Sequence, residues 1–104
     1  MKGDQPQLTV PTIKVLNAFL SAPHDELSGA DIAREAHVGP GTLYPLLQRL
    51  EKAGWLTSRW ETEDPAALGR PRRRYYRITG PGVQRARSAN RDVAPVFMKA
   101  AWNT

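Results

Sequence analysis

Residues 41–61 read GTLYPLLQRLEKAGWLTSRWE, and two periods meet inside them. Leu43, Leu46, Leu47, Leu50 and Ala53 recur at helical spacing and share one arc of a helical wheel. Pro40 stands where a helix begins, because the N–H it lacks would be unpaired there anyway. Pro45 falls inside the same element, but early enough that the missing donor matters little. Gly54 is placed to end the helix through a left-handed conformation. From Trp55 the period becomes two. Trp55, Thr57, Arg59 and Glu61 alternate with Leu56, Ser58, Trp60 and Thr62, the pattern of a half-exposed strand. A helix from Pro40 running straight into a strand is therefore expected.

Downstream, Asp64 to Pro71 is polar and carries Pro65, Gly69 and Pro71, while Arg72 to Thr79 is again extended in character. Two strands around such a loop make a β-hairpin with a long tip. Tyr75 and Tyr76 point opposite ways, so one packs on the core and the other is half exposed. Thr79 is suited to cap a last helix with Pro81 in its first turn. Along that helix Val83, Ala86, Val93, Phe97 and Ala100 form a seam close to a heptad repeat, and Pro95 should kink or break it.

Upstream, residues 1–10 read as a flexible arm. Ile13, Leu16, Phe19 and Leu20 then mark one buried stripe of a helix that starts near Pro11. Ser28 and Asp31 have the spacing of a shortened capping box, and Ala30, Ile32, Ala33 and Ala36 give the helix behind them a small face. His37-Val38-Gly39 is left as a tight turn between this helix and the one that begins at Pro40.

The order helix, short helix, turn, helix, strand, loop, strand, helix gives an α+β fold: a winged helix-turn-helix. It has a three-helix core, a two-stranded β-hairpin wing and a C-terminal dimerisation helix. The expected division is an arm over 1–10, a DNA-binding domain over 11–79 and a helical dimerisation segment over 80–104. In that geometry the third helix lies in the major groove. Its outward side carries Pro40, Gly41, Thr42, Tyr44, Pro45, Gln48 and Lys52. Gly41 lets backbone approach a phosphate, Gln48 is suited to an adenine edge, and Lys52 adds attraction with little sequence content. On the wing, Arg70, Arg72, Arg73 and Arg74 cluster at the loop exit, with alternation placing Arg73 opposite Arg72 and Arg74. Arg77 is a further phosphate candidate, or a partner for Glu61 across the hairpin.

Charge agrees with this. The chain has 104 residues and a formal charge of +5. Residues 70–104 hold eight Arg and Lys99 against Asp92 alone, while residues 1–69 hold nine acidic residues against six basic ones. So concentrated a field attracts a polyanion, most often nucleic acid, which the helix-turn-helix reading makes double-stranded DNA. Absence of cysteine excludes disulfides and thiolate chemistry. No apolar run is long enough for a membrane span or reads as an export signal, so a cytoplasmic location is expected. His24 and His37, the only histidines, belong to no metal or nucleophile pattern, so neither an enzyme nor a cofactor is expected. The competing reading is a winged-helix interaction module whose basic wing binds an acidic partner. Trp55, Trp60, Trp102 and Phe97 are candidates to line an effector pocket, although core packing is the simpler use of each.

Residues 41–61 followed by GRPRRRYYRIT at 69–79 resemble the PadR family of bacterial transcriptional regulators. The family pattern begins its third helix with Gly-(Thr/Ser)-Leu-Tyr-Pro, matched by Gly41 to Pro45. It ends that helix with Arg-Leu-Glu-x-x-Gly, matched by Arg49 to Glu51 and Gly54. Its wing leaves through Tyr-Tyr-Arg-(Leu/Ile)-Thr after basic residues, matched by Arg73 to Thr79. Leu27 to Ile32 lacks the Tyr many members carry there and looks more like the wider winged-helix repressors. The resemblance implies a homodimeric regulator, usually a repressor, that reads a palindromic operator. In some members a small aromatic or hydrophobic effector releases the DNA.

Overall fold

The structure, a computed structural model, describes residues 5–102, with side chains as far as Asp92. Its elements follow in the order α1 (Val10–Leu20), β1 (Leu27–Ser28), α2 (Gly29–Ala36), α3 (Pro40–Lys52), β2 (Leu56–Trp60), α4 (Pro65–Leu68), β3 (Arg74–Ile78) and α5 (Gly80–Trp102). This is the α+β winged helix-turn-helix that the sequence predicts.

Helix ends follow local chemistry. Thr9 caps α1, accepting the Thr12 amide through its hydroxyl, with Pro11 in the first turn. The capping box of α2 is complete: the Ser28 amide donates to Asp31 Oδ2 at 3.1 Å and the Asp31 amide donates to Ser28 Oγ at 3.1 Å. His37 ends α2 in the left-handed region at φ 55°, and Gly39 caps α3 one residue after the buried Val38. Gly54 at φ 84° turns the chain out of α3 into β2, as a residue without Cβ can.

The core is the apolar arc read from the sequence, closed by its neighbours. Leu43, Leu46, Leu47 and Leu50 of α3 meet Val15, Leu16 and Phe19 of α1, with Ile32 and Ala36 of α2 between them. From the wing base come Trp55, Leu56, Tyr76 and Ile78. Tyr76 is thus the inward tyrosine and Tyr75 the half-buried one.

The hairpin pairs β2 with β3 antiparallel, Leu56 opposite Ile78 through Trp60 opposite Arg74. A two-residue strand, β1, adds itself to the other edge of β3, so the sheet order is β1-β3-β2. Neither β1 nor the single turn α4 is long enough to show a period, and neither was expected.

Thr79 joins the wing to α5. Its amide donates to the Trp55 carbonyl, its hydroxyl donates to the Gly54 carbonyl at 2.7 Å, and the same oxygen accepts the Gly82 amide at 3.1 Å. Along α5 the expected dimer seam needs correction. Ala86 is 1% exposed inside the subunit's own core and Val83 packs partly against it. Asn90 and Asn17 exchange amide hydrogen bonds at 2.6 and 3.1 Å, which ties α5 to α1. The front of α5 therefore folds back on its own subunit. The side chains of Val93, Phe97 and Ala100 lie outside the described residues. Pro95 lies within α5 and can give no hydrogen bond to the turn before it.

Candidate nucleic-acid interface

Pro40, Gly41, Thr42, Tyr44, Pro45, Gln48 and Lys52 are all exposed, on the side of α3 away from its buried leucines. No side chain caps α3, and the Thr42 amide is taken by the Gly39 carbonyl at 3.1 Å, so its first turn offers the Gly41 N–H with the Thr42 hydroxyl beside it. Tyr44 is half exposed, and its ring lies over Gly29 at the start of α2. A Cβ on Gly29 would stand 2.7 Å from the Tyr44 hydroxyl, so the bare backbone of α2 is what lets the ring lie there.

Ser28, Gly29 and Ala30 form one wall of a cleft of about 260 Å³. Tyr44 and Trp60 stand across it, and Arg72, Arg73 and Arg74 close it from the wing. The three arginines thus reach a common space, against the expectation that alternation would separate Arg73 from the others. The reason is that β3 begins only at Arg74, so Arg72 and Arg73 lie in irregular chain where the two-residue period does not apply.

Their surroundings separate the wing arginines. Arg70 forks onto Glu61, Nη1 donating to Oε1 at 2.6 Å and Nη2 to Oε2 at 3.0 Å. Arg74 donates through Nε to Ser58 Oγ at 2.9 Å and through Nη2 to Glu51 Oε1 at 3.2 Å, while Ser58 Oγ donates to Glu51 Oε2 at 2.6 Å. Its guanidinium also lies within 5.4 Å of the Trp60 ring centre and 5.9 Å of that of Tyr76. Arg70 and Arg74 are therefore engaged in holding the wing to itself and to α3. Arg72 gives only Nε to the Glu63 carbonyl, at 2.8 Å, and is otherwise exposed. Among the described residues the exposed Arg73 guanidinium has no ion pair.

Arg77 corrects the sequence reading. It pairs in register with Thr57, and Glu61 is taken by Arg70 and the Arg73 amide instead. Alternation along β3 puts Arg77 with Tyr75, on the sheet face opposite Arg74 and Tyr76, which line the cleft. On that outer face Arg59 forks onto Glu26 at 2.7 and 2.8 Å and covers the Tyr75 ring.

The carboxylates respond to these partners. The Arg70 fork, then the Arg73 amide, hold the Glu61 carboxyl well down from 4.5, to about 2, against the partial burial that pushes it up. Glu26 is likewise held low, first by its hydrogen bond from Arg59, and Asp31 first by the Ser28 amide. Burial pushes the Tyr76 phenol up.

Trp60 is a cleft residue that sequence reasoning did not place beside α3 and the wing arginines. It is 55% exposed and borders both the cleft and an apolar groove formed with Pro65 and Pro71 at the wing tip. Alternation put it in phase with the buried Leu56, but β2 outruns the helices that cover its base. Trp55, by contrast, is buried in the core. Among the described residues the two border different cavities, and Trp55 has the core packing that was the simpler expectation; Phe97 and Trp102 lie outside the described side chains.

No curated protein matches the chain. Solved structures do. A PadR family regulator from Clostridium difficile aligns with TM-score 0.68 and 21% identity, over 91% of this chain and 96% of its own. A PadR family regulator from Eggerthella lenta aligns with TM-score 0.63 and 26% identity, over 86% of this chain and 79% of its own. A third transcriptional regulator, with TM-score 0.68 and 21% identity, is longer: the chain spans 62% of its length. A model of the transcriptional regulator PadR-like family matches residues 29–88. That match runs from the first turn of α2, through α3 and the whole wing, into α5, and on it this chain belongs to the PadR-like family of transcriptional regulators.

Proposed function

We propose that the chain is a homodimeric, cytoplasmic repressor that reads a palindromic DNA operator, each subunit placing the exposed side of α3 in a major groove. One observation carries the reading. The first turn of α2, Tyr44 of α3 and the wing-exit arginines Arg72 and Arg73 line a single cleft, so a helix and a wing can grip one duplex from the same side. Arg72 and Arg73 meet phosphates, and the first turn of α3 takes another on the Gly41 amide and the Thr42 hydroxyl. Gln48 and Tyr44 face base edges, Gln48 as an adenine reader and Tyr44 against sugar or a thymine methyl. Lys52 adds attraction from the last turn. Arg70 and Arg74 support the wing from inside, and Arg77 takes no part on this face.

Dimerisation belongs to the part of α5 beyond Asn90. The sequence seam continues there with Val93, Phe97 and Ala100, while Val83 and Ala86 are used inside the subunit. Two subunits double the phosphate contacts and impose half-sites about one helical turn apart. The resemblance to the family also supports release by a small hydrophobic or aromatic effector, with no described cavity assigned to it.

The test is a titration of duplex DNA selected by the protein from a random pool, followed by anisotropy at rising salt. Binding should fall steeply with salt, and Arg72→Ala with Arg73→Ala should weaken it for every sequence and flatten the slope by about 0.9 per phosphate lost. Gln48→Ala should change site preference by about 1–3 kcal/mol at one base pair. Salt-independent binding, or a double arginine variant that binds as the parent does, overturns the reading.

A further inference from the structure

One carboxylate stands at the base of the wing loop and accepts hydrogen bonds from two of its arginines. Glu61 follows directly on β2. Its side chain accepts both Nη groups of Arg70, at 2.6 and 3.0 Å, and the Arg73 amide at 2.7 Å. Its own amide donates to the Arg73 carbonyl at 2.9 Å. These bonds close the loop from 61 to 73 on itself, with the Glu61 side chain only 10% exposed. Further out, Asp64 caps α4 by accepting the Ala66 amide, Gly69 turns the chain at φ 69°, and Arg72 reaches back to the Glu63 carbonyl. Arg73 thus has its backbone held on both sides by Glu61 while its guanidinium is left exposed.

We propose that Glu61 is a positioning residue for DNA binding: it anchors the wing loop so that Arg72 and Arg73 face the duplex, with Arg70 as its internal counter-ion. This inference rests on the interface reading above. It has a sign of its own. A carboxylate close to a polyanion repels it, so deleting the charge strengthens binding if charge is all that Glu61 contributes. As the anchor of the loop its loss has the opposite effect, because Arg72 and Arg73 then spread over many positions and must be ordered again on binding.

The experiment measures the full chain against its selected duplex by anisotropy over a salt series, for the parent, Glu61→Gln and Glu61→Asp. All are held well below their melting points by circular dichroism. Glu61→Gln is nearly isosteric but places an amide against the Arg70 fork; about tenfold weaker binding and a shallower salt slope are expected. Glu61→Asp keeps the charge but is one methylene too short to hold the Arg70 fork and the Arg73 amide together; about threefold weaker binding is expected. Tighter or unchanged binding by Glu61→Gln overturns the proposal, and so does parental affinity in Glu61→Asp, which decides alone should Glu61→Gln fail to fold. The double variant Arg72→Ala, Arg73→Ala runs beside them. If it binds as the parent does, the interface reading falls and takes this inference with it; if it weakens while Glu61→Gln tightens, only the positioning role falls.

Discussion

At Gly29 the missing side chain is what the proposed interface uses. Tyr44 occupies the space a Cβ would take, with its hydroxyl at 2.7 Å and Cε1 at 2.9 Å from that position. In Gly29→Ala the tyrosine must swing away, which a half-exposed side chain can do. Stability should hardly change, since alanine also favours the helix by about 0.5–1 kcal/mol. DNA affinity should fall by about fivefold, roughly the loss of one contact; thermal melts and anisotropy on the same sample check both halves. Gly82 is the contrary case. A Cβ there would stand 2.2 Å from the Trp55 carbonyl and 2.8 Å from Ile78 Cγ1. The carbonyl belongs to backbone that Thr79 pins, so Gly82→Ala should destabilise by about 2–4 kcal/mol in urea melts. Neither outcome was legible in the sequence, since no spacing shows what packs against either glycine. Caps were legible, because Ser28 and Asp31 satisfy each other within one turn and need no distant partner.

Among elements, α3 was read correctly from its leucines and the wing only from its outline. A helix buried on one side advertises that side through its period, and Leu43, Leu46, Leu47 and Leu50 did so. The directions of Arg70, Arg74 and Arg77 depend instead on where Glu61, Glu51 and Tyr75 lie across the sheet, and no spacing encodes that. Glu61 also makes the wing acid-sensitive. Glu61 is held at about 2 in the folded chain against 4.5. Because its folded value is depressed, its contribution is fully present above about pH 4.5 and is lost as pH falls toward 2. Glu26 and Asp31, also held low, act with the same sign. Stability should therefore decline through this window, and the decline should be shallower in Glu61→Gln. Denaturant melts from pH 6 down to pH 2 test this, and the Glu61 carboxyl resonance should titrate near 2.

For the whole molecule, the fold places two charged surfaces differently. Arg72 and Arg73 share a cleft with α2 and α3, while Arg59 and Arg77 lie with Glu26 on the outer sheet face. The net +5 is thus less informative than its distribution. Assembly follows from the same division of surfaces. Val83, Ala86 and Ala89 are buried or partly buried within the subunit, which is why the proposed dimer is assigned to α5 beyond Asn90. Light scattering at micromolar concentration should give twice 11.6 kDa, and Phe97→Asp should give the single mass without loss of helix; a parent that is monomeric contradicts the dimer. The central claim is that α3 and the wing exit grip one duplex together. It is tested most directly by following backbone amide resonances while selected duplex DNA is added. The expected result is that the largest shifts fall together on Gly29, Ala30, Gly41, Thr42, Tyr44, Arg72 and Arg73. Shifts confined to α1 and the outer sheet face around Arg59 and Arg77, with the cleft unmoved, would contradict it.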